Sequence, residues 1–133
     1  MLPLLLKAAE VALPTTDDDP RNFWLGCVGI RDDGVMVSAK NGATEFSDQV
    51  ESYQLVPNAH AEGRVLRKLG KNGTLFVARV SRKDRSLAMS QPCGMCQVRI
   101  RAANVKKVYY TINDSQYGIW LPDTDKYRIY TVK

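Results

Sequence analysis

His60-Ala61-Glu62 and, further along, Pro92-Cys93-Gly94-Met95-Cys96 are the stretches that decide how this chain is read. One imidazole and two thiolates are three good zinc donors, and three protein donors with a fourth place left to water is the arrangement zinc takes in hydrolytic sites. Cys93 and Cys96 stand at i and i+3, so a helix opened by Pro92 puts both sulfurs on one face of its first turn. Proline suits that position because it has no N–H to lose there. The positive end of the helix favours the thiolates that a metal needs. His60 is the only histidine in the chain, so no second imidazole competes with it.

Glu62 needs a separate argument. Two residues turn a helix by roughly 200°, so His60 and Glu62 do not share a face in mid-helix. Near a first turn, where Asn58 after Pro57 is a plausible N-cap, a long carboxylate can still reach a metal-bound water. There it would take a proton from the water and pass protons on to the reacting groups. Two plainer readings stay open. Cys93-Gly94-Met95-Cys96 could be a redox pair, or a structural zinc site with Cys27 as the spare fourth ligand. Neither accounts for Glu62 beside the sole histidine.

At 133 residues, 44% hydrophobic and 25% charged, the expectation is one domain over 1–133 with a real core. Leu2 to Leu13 reads as an amphipathic helix ended by Pro14. Lys7 and Glu10 interrupt it too early for a membrane span or a secretory signal, so no membrane partner is expected. With two of the three cysteines assigned to the metal, Cys27 in its apolar strand reads as an inert core residue, which argues for a reducing compartment, hence a cytoplasmic location. The net charge of +5 permits nucleic-acid or phosphate binding without requiring it.

Phe23–Ile30 and Val35–Ala39 read as strands of a hairpin turned at Asp32-Asp33-Gly34. Residues 41–56 are polar and irregular, long enough to be functional. Ala59–Leu69 reads as a helix closed by Gly70. Thr74–Val80 is a strand, Ser81–Gln91 a basic loop, Pro92–Ala103 the second motif-bearing helix and Val105–Ile112 a strand. The link from there to Tyr117–Leu121 is too short for a parallel crossover, so that pair should be antiparallel. Tyr127–Val132 is the last strand. The whole suggests a three-layer α/β/α domain with a mixed five-stranded sheet.

Hairpin, His60-Ala61-Glu62 helix, strand and Pro92-Cys93-Gly94-Met95-Cys96 helix together resemble the zinc-dependent cytidine and deoxycytidylate deaminase superfamily across nearly the whole chain. The resemblance implies a cytidine-deaminase-like fold, a Zn2+ cofactor held by His60, Cys93 and Cys96, and Glu62 as the catalytic proton shuttle. It implies that Asn41 contacts a sugar, although Asn41-Gly42 is equally a common turn pair. It also implies that backbone groups at Ala61 and Cys93 hold the base, and that the enzyme is a homo-oligomer. Histidine as first ligand is similar to deoxycytidylate, tRNA-adenosine and polynucleotide deaminases, whereas the antiparallel tail is similar to free-nucleoside enzymes and some toxins. The leading expectation is hydrolytic deamination of cytosine in a free (deoxy)cytidine nucleoside or nucleotide, with Arg79, Arg82, Lys83 and Arg85 available for phosphate. The alternative is a base, cytosine or adenine, in single-stranded DNA or RNA, gripped by those cations and by Tyr109, Tyr110, Tyr117 and Trp120. A third reading is a non-catalytic binding module with the metal as a staple, against which the presence of Glu62 argues.

Overall fold

A computed structural model describes residues 1–13, 23–40, 61–92 and 94–132, with backbone only at 40, 61–64 and 95. The elements are α1 (Pro3–Ala12), β1 (Phe23–Ile30), β2 (Met36–Lys40), α2 (Ala61–Leu69), β3 (Thr74–Ser81), β4 (Leu87–Ala88), α3 (Gly94–Ala102), β5 (Lys107–Asn113), β6 (Gln116–Leu121) and β7 (Lys126–Thr131). They form one mixed sheet in the order β2-β1-β3-β5-β6-β7, with β4 beside β3. Only β3 and β5 run parallel. β1 lies between β2 and β3 with both faces covered, which is why Trp24 to Gly29 form one buried run and do not alternate.

Strand alternation sorts the core into two faces. Leu25 and Cys27 of β1 and Leu75 and Val77 of β3 pack with Val65, Leu69, Cys96 and Ile100 of α2 and α3. The intervening Val28, Phe76 and Ala78 pack with Leu5 and Ala8 of α1. Among the described residues one helix therefore covers one face and two helices the other, giving the three expected layers. Gly26 permits this closeness: a Cβ there would collide with the carbonyl of Ala8 and the backbone of Ala12. On the opposite face an added Cβ at Gly29 would meet Leu69 and Val65 at 2.8 Å.

The sheet has seven strands, not five. The closing segment joins it as β7, an outer edge with all six residues exposed. β4 is a two-residue piece inside the supposed basic loop, where Arg79 pairs with Ala88 and Val80 with Leu87. The expected antiparallel tail is present: β5 pairs with β6 and β6 with β7, both antiparallel. Gly34 (φ +89°) makes the hairpin turn and Gly70 (φ +72°) closes α2, left-handed positions that glycine takes at least cost.

Candidate active site

The two motif-bearing helices start at the same end of the sheet. Each has nine residues, about 13 Å of helix. Their far ends are tied together: the Asn72 N–H donates to the Ala103 carbonyl at 3.2 Å, the Lys106 N–H to Gly73 at 2.9 Å, and the Asn104 amide to the Asn72 side chain. Asn72 and Asn104 both take positive φ, a conformation that asparagine tolerates better than most residues. α2 leads into β3 and α3 into β5 by short links, so each helix runs back over the sheet. Their first turns lie above the C-terminal ends of the parallel pair β3 and β5, where open α/β sheets place their ligand crevices.

Ala61 and Glu62 are the first two residues of α2, and Gly94 opens α3. Cys96 is the third residue of α3 and is 1% exposed, in the cluster with Leu25 and Val77. Among the described residues an added Cβ at Gly94 would meet nothing within 4 Å. Among the described residues the start of α3 is therefore open while the thiol two residues on is enclosed. His60, Cys93 and Asn41 lie outside the described residues, and so does the irregular 41–56 segment. Accordingly no trio of potential metal donors gathers among the described residues.

A pair of buried hydroxyls, Ser90 at 2% and Thr111 at 0% exposure, supports the approach to α3. The last parallel pair is Val77 with Tyr110, so the next ladder bond would join the Thr111 N–H to the Val77 carbonyl. The Ser90 hydroxyl stands in that bond instead, accepting from Thr111 N–H and donating to Val77 O, both at 2.8 Å. Thr111 Oγ1 donates to Ala88 O at 2.8 Å and accepts the Arg79 N–H at 3.2 Å. The Ser90 N–H returns to Thr111 O at 2.9 Å. β3 and β5 are thereby parted at the end that carries the helix starts. Gln97 of α3 holds the Pro92 carbonyl at 2.9 Å. Neither hydroxyl is prominent in the sequence; the one signal is a serine just ahead of Gln91-Pro92-Cys93.

The basic residues do not act as one group. Arg79 follows Leu75 and Val77 on the α2/α3 face and stacks on Phe23 at 5.4 Å. Its Nε is buried and has no hydrogen-bond partner among the described residues. The same Phe23, with Ser81, Arg82 and Lys83, lines an open cavity of about 480 Å³. Arg85, at φ +62°, turns instead to Trp24 at 4.7 Å, and Trp24 packs with Ala12 on the α1 face. Asp84 sets this turn by accepting from the hydroxyl (2.6 Å) and N–H (3.0 Å) of Ser86, bonds that hold its carboxyl below the ordinary range.

The aromatic side chains belong to the two cores. Tyr110 and Trp120 are buried with α2 and α3. Tyr109 and Tyr117 pack on the α1 side, Tyr109 stacked on Phe76 at 4.6 Å. The expected aromatic groove of a single-strand binder is therefore not formed by these four residues.

The family model for the cytidine and deoxycytidylate deaminase zinc-binding region matches residues 3–112. The chain belongs to this family. The match runs from α1 to β5 and includes both helix starts, while β6 and β7 lie beyond it. Zinc is the cofactor of this deaminase, and deamination of the cytidine-deaminase kind is its chemistry. A search for similar curated proteins returned no match. Among the described residues no helix is long and apolar enough to cross a membrane.

Proposed function

We propose that this deaminase hydrolyses the exocyclic amine of cytosine in a free (deoxy)cytidine nucleoside or nucleotide. His60, Cys93 and Cys96 hold the zinc, which supplies Lewis acidity that makes water nucleophilic near neutral pH. Glu62 takes a proton from the attacking water and delivers protons to the ring nitrogen and the amine. The C–N bond breaks as the C–O bond is completed, so cytosine and water give uracil and ammonia without an oxidant or reductant. Backbone groups at Ala61 and Cys93 hold the base, and Asn41 contacts the sugar.

The observation that supports this reading best is the convergence of the first turns of α2 and α3 above the C-terminal ends of β3 and β5. That brings the chain positions of both motifs to one end of one face. A free compound is favoured over a polynucleotide because Tyr110 and Trp120 are buried in one core, Tyr109 and Tyr117 pack half-buried against the other, and Arg85 faces away. The test is ammonia release from cytidine, deoxycytidine, their 5′-phosphates, adenosine and short single-stranded oligonucleotides. Turnover of a free cytosine compound is expected. Deamination confined to adenosine or to the oligonucleotides overturns the reading.

A further inference from the structure

We infer that Arg79 is a substrate-specificity residue that binds the phosphate monoester of a cytosine nucleotide; this rests on the free-substrate reading above. Burying a guanidinium donor without an acceptor is costly, so such a group is retained where a partner arrives from outside. Arg79 Nε is such a donor: buried, and unbonded among the described residues. The rest of the side chain is held in place. Its backbone N–H is fixed by Thr111 Oγ1 at 3.2 Å, and its guanidinium lies against the Phe23 ring. A planar cation stacked on a ring is held in one orientation, and its fork of donors matches two phosphate oxygens at once.

Its position agrees with this role. Val77 belongs to the cluster that contains Cys96, and Arg79 is the next residue of β3 on that face, about 7 Å further along the strand. That is toward the strand end where the helices begin. Leu25, paired with Arg79 across β1, lies in the same cluster. Phe23, the ring against which the guanidinium rests, also lines an open cavity with Ser81 and Lys83, which offers a phosphate room and a second cation. A single anchored guanidinium suits one terminal phosphate. A polynucleotide backbone asks for a track of cations, and Arg85, which would continue one, lies on the opposite face against Trp24.

The experiment compares wild type, Arg79→Met and Arg79→Lys on cytidine and deoxycytidine against their 5′-monophosphates, with a single-stranded oligonucleotide as a further arm. Methionine keeps the apolar stem and removes the charge; lysine keeps the charge and removes the planar fork. Arg79→Met should lower kcat/KM for the monophosphates by about ten- to a hundredfold, the worth of a charge-assisted hydrogen bond, and leave the nucleosides within about threefold. Arg79→Lys should fall between. Without any turnover, inorganic phosphate should raise the wild-type Tm and leave that of Arg79→Met unmoved. Equal losses on nucleosides and monophosphates, or a phosphate-induced Tm rise that survives Arg79→Met, overturn the assignment. Failure of all free cytosine compounds together with turnover of the oligonucleotide overturns the free-substrate reading itself, and the assignment with it.

Discussion

The hydroxyl of Ser90 occupies the place of a backbone hydrogen bond between Thr111 and Val77, at 2.8 Å from each. Parallel strands otherwise continue their ladder until one of them ends. Here β3 changes partner after Val77, leaving β5 for β4. The chain from Ala88 to Pro92 then rises between the two parallel strands toward Cys93. A side-chain oxygen can do this because it both donates and accepts, so neither backbone group is left unpaired.

Ser90→Ala removes both partners at once. The Thr111 N–H and Val77 carbonyl remain buried and unsatisfied, which should destabilise the fold by about 1–3 kcal/mol, read from the urea midpoint. The segment leading to Cys93 loses its anchor as well, so zinc affinity should fall by about ten- to a hundredfold, as for other groups that orient metal ligands. Unchanged zinc affinity would reduce Ser90 to a purely structural bond.

Gly26→Ala supplies the control. Its new methyl must push α1 off β1, since the obstacles are the backbone atoms of Ala8 and Ala12. A loss of about 1–3 kcal/mol or more is expected from overpacking of this kind. α1 lies on the face away from α2 and α3, so zinc affinity should hold. A fall equal to that in Ser90→Ala would trace both effects to general loosening.

Elements with strong periodicity were legible in the sequence: the amphipathic α1, the Asp-Gly hairpin, α2 closed by Gly70 and the antiparallel tail. β4 was not, because a two-residue bridge within Ser81–Gln91 has no alternation to read and exists only through its pairing with Arg79 and Val80. The split of the basic residues was equally hidden, since it depends on strand parity at Arg79 and a left-handed backbone at Arg85. The deaminase superfamily was legible in the resemblance of the two motifs, and the family match agrees with it. That Arg79 interrupts an apolar strand was visible; that its Nε has no partner among the described residues required the packing.

Alkaline pH should test the core beneath the helices. Burial raises the Tyr110 hydroxyl pKa above its usual value near 10. A raised folded value means that the neutral form is preferred in the fold, so its contribution is intact below the unfolded pKa and is lost as pH climbs through the folded one. Stability should therefore drop above about pH 10. Tyr110→Phe should flatten that drop; an identical alkaline limb in both proteins would clear Tyr110 of responsibility.

Chelation should abolish ammonia release, and added zinc should restore it. Zinc binds the folded chain and not the unfolded one, so its removal should also lower Tm, by an amount that grows with the zinc concentration used for reference. Full activity after exhaustive chelation would contradict the metal's place in the reaction.

Glu62→Ala separates proton transfer from metal binding. Glu62 is the second residue of α2, a position where alanine serves the helix at least as well, so fold and zinc content should be kept. The proposed carboxylate carries protons and is not a ligand, and general acid–base groups are typically worth about 10² to 10⁴ in rate. Turnover of the free cytosine compound should fall by at least that much, with KM little changed if backbone groups hold the base as proposed. Loss of zinc along with activity would make Glu62 a support of the metal site; near-normal turnover with zinc in place would transfer the proton work to another group.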